Sequence, residues 1–150
     1  MSAQPLTLSL GSDHAGLPLK VALAAHLRSL GHTVVDRGTF TEASCDYPVY
    51  AQAVAEDVVA GTSRFGVLVC STGVGISIAA NKVRGIRAAL VHNAEMAVLA
   101  RQHNDANVVS IGQRLVPEEL LLPIIDTWLD TPFEGGRHVA RIQQIDEPVE

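Results

Sequence analysis

Apolar and polar positions alternate at the start of the chain, then switch to a helical period, and the switch recurs along its length. Residues 6–10 (LTLSL) alternate and run into GSDHAG, the pattern of a strand that ends in a turn. From 17 to 30 the apolar residues fall at 17, 21, 23, 24, 27 and 30, and Gly31 follows as a stop, which predicts an amphipathic helix. A β-rich stretch at 33–36 leads into a loop, and Pro48 is well placed to open a helix running to about residue 60. FGVLVC at 65–70 is the unbroken apolar run of a strand buried on both faces. STGVG comes next, then a helix through Ala80. Further strands are predicted at 86–91 and 108–111, and further helices at 94–103 and 117–129. The polar segment GGRHVARIQQI at 135–145 is also predicted helical.

Strands that alternate with helices specify a parallel sheet covered on both faces. The expected fold class is therefore α/β, a Rossmann-like three-layer sandwich with a five-stranded parallel sheet. With 150 residues, 47% of them apolar, and no linker-like or repeated stretch, the chain reads as a single domain over 1–150. Right-handed crossovers put the loops after residues 10, 69, 91 and 111 on the edge formed by the carboxyl ends of the strands, where such sheets bind ligands. Any site is expected to gather on that edge.

Charge narrows the choice of partner. A net charge of −5 argues against non-specific binding to nucleic acid, whose phosphates are held by clustered cations. Of the eleven cations only two are lysines; the others are arginines, whose planar fork suits phosphate. No apolar run is long enough for a bilayer and residues 1–5 carry no basic-then-apolar signal, so no membrane is expected and the cytoplasm is the expected location. Cys45 and Cys70 are accordingly expected as thiols.

The sharpest local feature is Cys70-Ser71-Thr72-Gly73-Val74-Gly75, a thiol at a strand's end followed by a tight turn into a helix. Backbone N–H groups of such a turn and the positive end of the helix suit an anion, a thiolate or a developing oxyanion included. An isolated cysteine would read better as a small buried filler, and the Gly-rich turn reverses that preference. Three rival motifs fail on a required residue. A dinucleotide fingerprint beginning at Gly73 and Gly75 would need Gly or Ala at Ile78, and a phosphate loop of the Walker type would need Lys at Ile76. A thiol phosphatase loop would need Arg at Ile76 as well.

Asp13 and His14 close the first strand; Asp13 suits an N-cap, but capping alone does not call for the histidine. If the first and third strands flank the switch point, both residues come beside Cys70. RQHNDAN at 101–107 is a polar cluster just before the fifth strand and reads, by itself, as a solvated helix end. Arg137 and Arg141 are spaced i, i+4 and would present two guanidinium forks on one helical face, a phosphate clamp or merely a solvated surface. Lys82 could add positive potential, whereas His26, His32 and His92 have no partner pattern.

Taken together, GSDHAG at 11–16, DYP at 46–48, CSTGVGISIAANK at 70–82, RQHNDANV at 101–108 and GGRHVARI at 135–142 resemble the family of ribose-5-phosphate isomerase B and galactose-6-phosphate isomerase. The resemblance spans almost the whole chain in order. It implies an aldose-ketose isomerase that interconverts ribose 5-phosphate and ribulose 5-phosphate without metal or other cofactor. It implies Cys70 as the base and His103 as the group that assists opening of the sugar ring. Asp13, His14, Asn104 and the turn of Ser71, Thr72, Gly73, Val74 and Gly75 would hold the open sugar, and Arg114, Arg137 and Arg141 would surround the phosphate. It implies a homodimer with sites at the subunit interface, with a dimer of dimers open to it. One branch of the family uses a glutamate in the loop as base; here that position is Ile76, so the cysteine branch is the expected one. Many relatives have Gly where this chain has Ser71, which leaves allose 6-phosphate, galactose 6-phosphate or a tetrulose 4-phosphate as alternative substrates. From other classes, a non-catalytic sensor of sugar phosphates or nucleotides would bind without turnover, and a thiol phosphatase would release inorganic phosphate.

Overall fold

Six buried residues in a row, Phe65–Cys70, leave this strand no solvent face, and it takes the centre of the sheet. The computed structural model describes residues 4–147. In chain order the elements are β1 (Thr7–Ser12), α1 (Leu17–Ser29), β2 (Thr33–Asp36), α2 (Tyr47–Val59), β3 (Phe65–Cys70), α3 (Val74–Ala80), β4 (Ala88–Leu90), α4 (Ala94–Asn104), β5 (Val108–Gly112), α5 (Glu118–Asp130) and α6 (His138–Asp146). The five strands form one parallel sheet in the order β2-β1-β3-β5-β4, so the α/β sandwich expected from the alternation is what forms.

The apolar residues sort into two cores, one on each side of the sheet. Leu19, Leu23 and Leu27 of α1 pack with Leu121, Ile125 and Trp128 of α5 against Leu8, Leu10, Val67, Val69, Val109 and Ile111. On the other face Ala51, Val54 and Ala55 of α2 and Ile76 and Ala80 of α3 pack on Leu68, Cys70 and Val108. The alternation of Val67 and Val69 with Leu68 and Cys70 between these cores shows β3 feeding both layers, as a strand of period two must. Lys20 lies on the buried side of α1 and pairs with Asp36 at the end of β2, the ionic partner that a lysine only 1% exposed requires.

Several boundaries differ from those read in the sequence; α6, for one, opens at His138 and not at 135. β1 runs on through Gly11 and Ser12, because these pair with Leu68 and Val69 of β3. Gly11 is there for packing: a Cβ at this position would stand 2.9 Å from Val54 Cγ2 and 3.2 Å from the Tyr50 carbonyl oxygen. β4 shrinks to three residues on the sheet edge, where it has β5 alone for a neighbour. Asp13 does not cap α1; Gly16 holds that position, and its N–H donates to Asp13 Oδ1 at 3.0 Å. Among the described residues no helix is long and apolar enough to cross a membrane.

Candidate active site

The chain turns back on itself between β1 and β3: β2 lies on one side of β1, and the remaining strands lie on the other. Ser12, the last residue of β1, is level with Val69, and Asp13 follows just beyond the strand end as Cys70 follows Val69 on β3. On its other side Cys70 is level with Gly112. The switch point thus gathers Asp13, His14, the 70–75 turn and Arg114 on the carboxyl edge.

Cys70 is 4% exposed and its Sγ accepts the Gly73 N–H at 3.1 Å. That geometry needs the turn to double back sharply, which Gly73 allows with a φ of 77°. A side chain at Gly73 would strain this backbone and would also meet Leu90 Cδ1 at 2.7 Å and the Ile111 carbonyl carbon at 2.8 Å. The turn is fastened from β5: Ser110 Oγ donates to the Gly73 carbonyl at 2.6 Å, and the N–H groups of Gln113 and Arg114 donate to the Cys70 and Ser71 carbonyls at 2.8 and 3.0 Å. Val74 N–H donates to Thr72 Oγ1 at 3.2 Å, which leaves that hydroxyl free to donate outward. Two parts of the sequence argument change. Gly73 N–H is engaged by sulfur and is no free oxyanion donor; and α3 has seven residues, so the field at the thiol comes from local N–H groups more than from a long helix.

Asp13 is 6% exposed, and its hydrogen bond to Gly16 N–H fixes the turn into α1. His14 Nδ1 accepts the Cys45 N–H at 3.2 Å, which assigns the proton to Nε2 in the neutral ring and ties down the loop before α2. Sequence reasoning passed over three supports of this edge. The Gln113 side-chain oxygen accepts the Leu19 N–H at 3.0 Å, joining α1 to the loop after β5. Tyr47 covers Gly75 so closely that a Cβ there would lie 2.6 Å from its ring. Ser110 is the third; as a small polar residue inside an apolar strand, it was the one visible signal.

The remaining candidates lie at the other end of the sheet. His103 and Asn104 close α4, just before β5 begins, and β5 ends level with Cys70. Four residue steps of strand put roughly 13 Å between the two ends of β5. His103 is half-buried and Asn104 exposed. Arg137, at the start of α6, and Arg141, one turn on, are exposed at this same amino edge, where the His103 and His138 rings stack. The expectation that every site residue gathers on the carboxyl edge is therefore wrong for one chain: Cys70 and Arg114 are at one end, and His103, Asn104, Arg137 and Arg141 at the other.

Charge fixes this amino edge. Asp105, at φ 46°, ends α4 and receives Arg101 Nη1 at 2.8 Å and Arg87 Nη2 at 3.4 Å. Arg87 also reaches both carboxylate oxygens of Asp146 on α6, at 3.1 and 3.0 Å, and so couples the two helices. Burial pulls the neighbouring Arg64 guanidinium below the usual arginine range; Arg101 adds to the shift, Asp105 opposes it, and Arg87 adds again. His103, Glu134 and His138 bring three potential metal ligands within 4.8 Å of one another. The two rings are nearly parallel, stacked at a centroid distance of 4.4 Å.

A family model described as Ribose/Galactose Isomerase matches residues 8–145. The chain is 48% identical over 138 residues to ribose-5-phosphate isomerase B of Escherichia coli (strain K12), covering 92% of this chain and 93% of that one. A crystal structure of a ribose 5-phosphate isomerase from Thermotoga maritima superposes with a TM-score of 0.94 at 47% identity, covering 96% of this chain and 99% of that chain. The Mycoplasma genitalium ribose-5-phosphate isomerase B, solved with bound ribulose-5-phosphate, matches at a TM-score of 0.90 and 43% identity, covering 93% of each.

Proposed function

The chain belongs to the ribose/galactose isomerase family, and from that premise we propose that it interconverts ribose 5-phosphate and ribulose 5-phosphate, with Cys70 as the base. The observation that carries the reading is the sulfur of Cys70, set at the end of the central strand beside Asp13 with a backbone N–H aimed at it. As a thiolate, Cys70 takes the proton from C2 of the open-chain aldose. The electron pair moves into a C1–C2 double bond, the carbonyl becomes an oxyanion, and a cis-enediolate results. The proton then returns to C1, the C2 hydroxyl proton passes to the C1 oxygen, and the ketose is complete. The Thr72 hydroxyl and the first-turn N–H groups of α3 beyond Val74, whose own N–H is taken by Thr72, are the donors for the transient negative oxygen.

The aldose exists mainly as a closed ring, which must open first, and His103 serves that step. In the same reading Arg137 and Arg141 grip the phosphate. Their place at the far end of the sheet is the reason for proposing a homodimer, in which the amino edge of one protomer faces the carboxyl edge of its partner. Each site then takes Cys70, Asp13, His14 and Arg114 from one chain and His103, Asn104, Arg137 and Arg141 from the other.

Mixing two inactive variants tests both parts. Cys70→Ala and His103→Ala protomers, dissociated and reassociated together, should recover about a quarter of wild-type turnover: half the dimers are mixed, and each has one intact site of two. Recovery of nothing would mean that each site belongs to a single chain. The family description joins ribose and galactose, which favours the same chemistry on a six-carbon sugar phosphate as the second reading. A panel of phosphorylated sugars ranked by kcat/KM separates the two.

A further inference from the structure

A second imidazole lies flat against His103. The ring centroids of His103 and His138 are 4.4 Å apart and their planes 16° from parallel. The segment leading to His138 is pinned to the last turn of α4: Arg101 Nε donates to the Thr131 carbonyl at 3.2 Å, and Glu134 N–H to the Gln102 carbonyl at 3.1 Å. His138 is 3% exposed, and its Nε2 has no hydrogen-bond partner among the described residues. Glu134 Oε1 stands 3.5 Å from it, outside hydrogen-bond geometry, on a half-exposed side chain. That nitrogen makes no hydrogen bond among the described residues, and what His138 gives its neighbour is the face of its ring.

We propose that His138 is a positioning residue, a buried plate that fixes the plane of His103 for opening of the sugar ring. The inference rests on the reading of His103 given above. His103 sits in the final turn of α4, two residues before the left-handed Asp105; the ion pairs there fix the backbone, but no hydrogen bond among the described residues holds the His103 ring, so its plane is left to packing. Ring opening breaks the bond between C1 and the ring oxygen. That oxygen takes a proton from His103, the anomeric hydroxyl loses its own as the carbonyl forms, and that proton returns to His103 through solvent. Transfer requires the donor nitrogen within about 3 Å of the ring oxygen and in line with it. A plate against one face removes rotations that would spoil this alignment.

The ketose provides the control, because a 2-ketopentose with phosphate on O5 has no hydroxyl able to close a five-membered ring. His138→Ala should lower turnover of the closed-ring aldose phosphate by roughly 10- to 100-fold, the cost of a misplaced group. Solvent-deuterium exchange into C1 of the open-chain ketose should stay within about twofold of wild type, since it bypasses the step. His138→Phe keeps a flat face and should restore most of the aldose turnover. Equal loss in both assays, or a Phe variant as poor as the Ala variant, would overturn the proposal. A readout without substrate stands apart from the isomerase reading: NMR of the His103 ring protons should show an upfield ring-current shift in wild type and in His138→Phe, and none in His138→Ala. Absence of that shift in wild type would also overturn it, whereas absence of exchange in wild type with every sugar would sink the isomerase reading instead.

Discussion

The two edges of the sheet are built on different terms. At the carboxyl edge the candidate base is buried, rides on the central strand, and is held by backbone N–H and carbonyl groups that are themselves fixed by β5. At the amino edge the candidate groups sit on helix ends, three of the four exposed, and are held by charged side chains bridging α4, α6 and the start of β4. A group that must meet one carbon atom gains from a rigid, dry setting. In the proposed dimer, groups that grip a substrate against a partner protomer must reach outward, and the ion network fixes the helices behind them.

That contrast can be broken most sharply at Cys70. Cys70→Ala should reduce deuterium exchange and isomerisation by about 10³-fold or more, with sugar-phosphate binding by calorimetry largely kept. Exchange close to wild type would remove the sulfur from the reaction. At Gly73 the backbone itself is the test, since alanine there needs a φ of 77° and meets β5. A stability loss of about 2–3 kcal/mol in chemical denaturation is expected, together with roughly 10²-fold lower turnover. At the amino edge, Asp105→Asn keeps a residue that tolerates left-handed backbone and removes only the charge among Arg64, Arg87 and Arg101. It should cost on the order of 2 kcal/mol and raise KM with exchange per bound sugar little changed. Arg137→Ala should be the mildest, raising KM for phosphorylated sugars about tenfold at similar kcat. An unchanged KM would place the phosphate elsewhere.

The sequence disclosed the layers because each element has its own period: the apolar run at 65–70 and the helical spacing at 17, 21, 23, 24, 27 and 30 leave little choice of structure, although of that second set Val21 is exposed and Leu19, outside it, is buried. It did not disclose that β5 inserts between β3 and β4, since strand order depends on which crossover packs better and no local pattern records it. The Cys70 turn was legible because thiol, small residues and helix start are contiguous in the chain. The separation of His103 from Cys70 was only half legible: its place before the fifth strand was visible, yet its consequence required the register of β5 against β3. Tyr47 and His138 stand within the DYP and GGRHVARI motifs, yet they and Gln113 act through contacts between elements far apart in sequence, which residue type alone does not reveal.

The loop contact between Cys45 and His14 bears on how this protein should be probed with alkylating reagents. Cys45 is the partly open thiol and Cys70 the enclosed one, so a bulky maleimide should label Cys45 first. Its backbone N–H holds the His14 ring, and an adduct on that loop would pull the histidine aside. Inactivation by such a reagent would then arise beside the candidate base without touching it, and only peptide mapping of the adduct would tell the two apart.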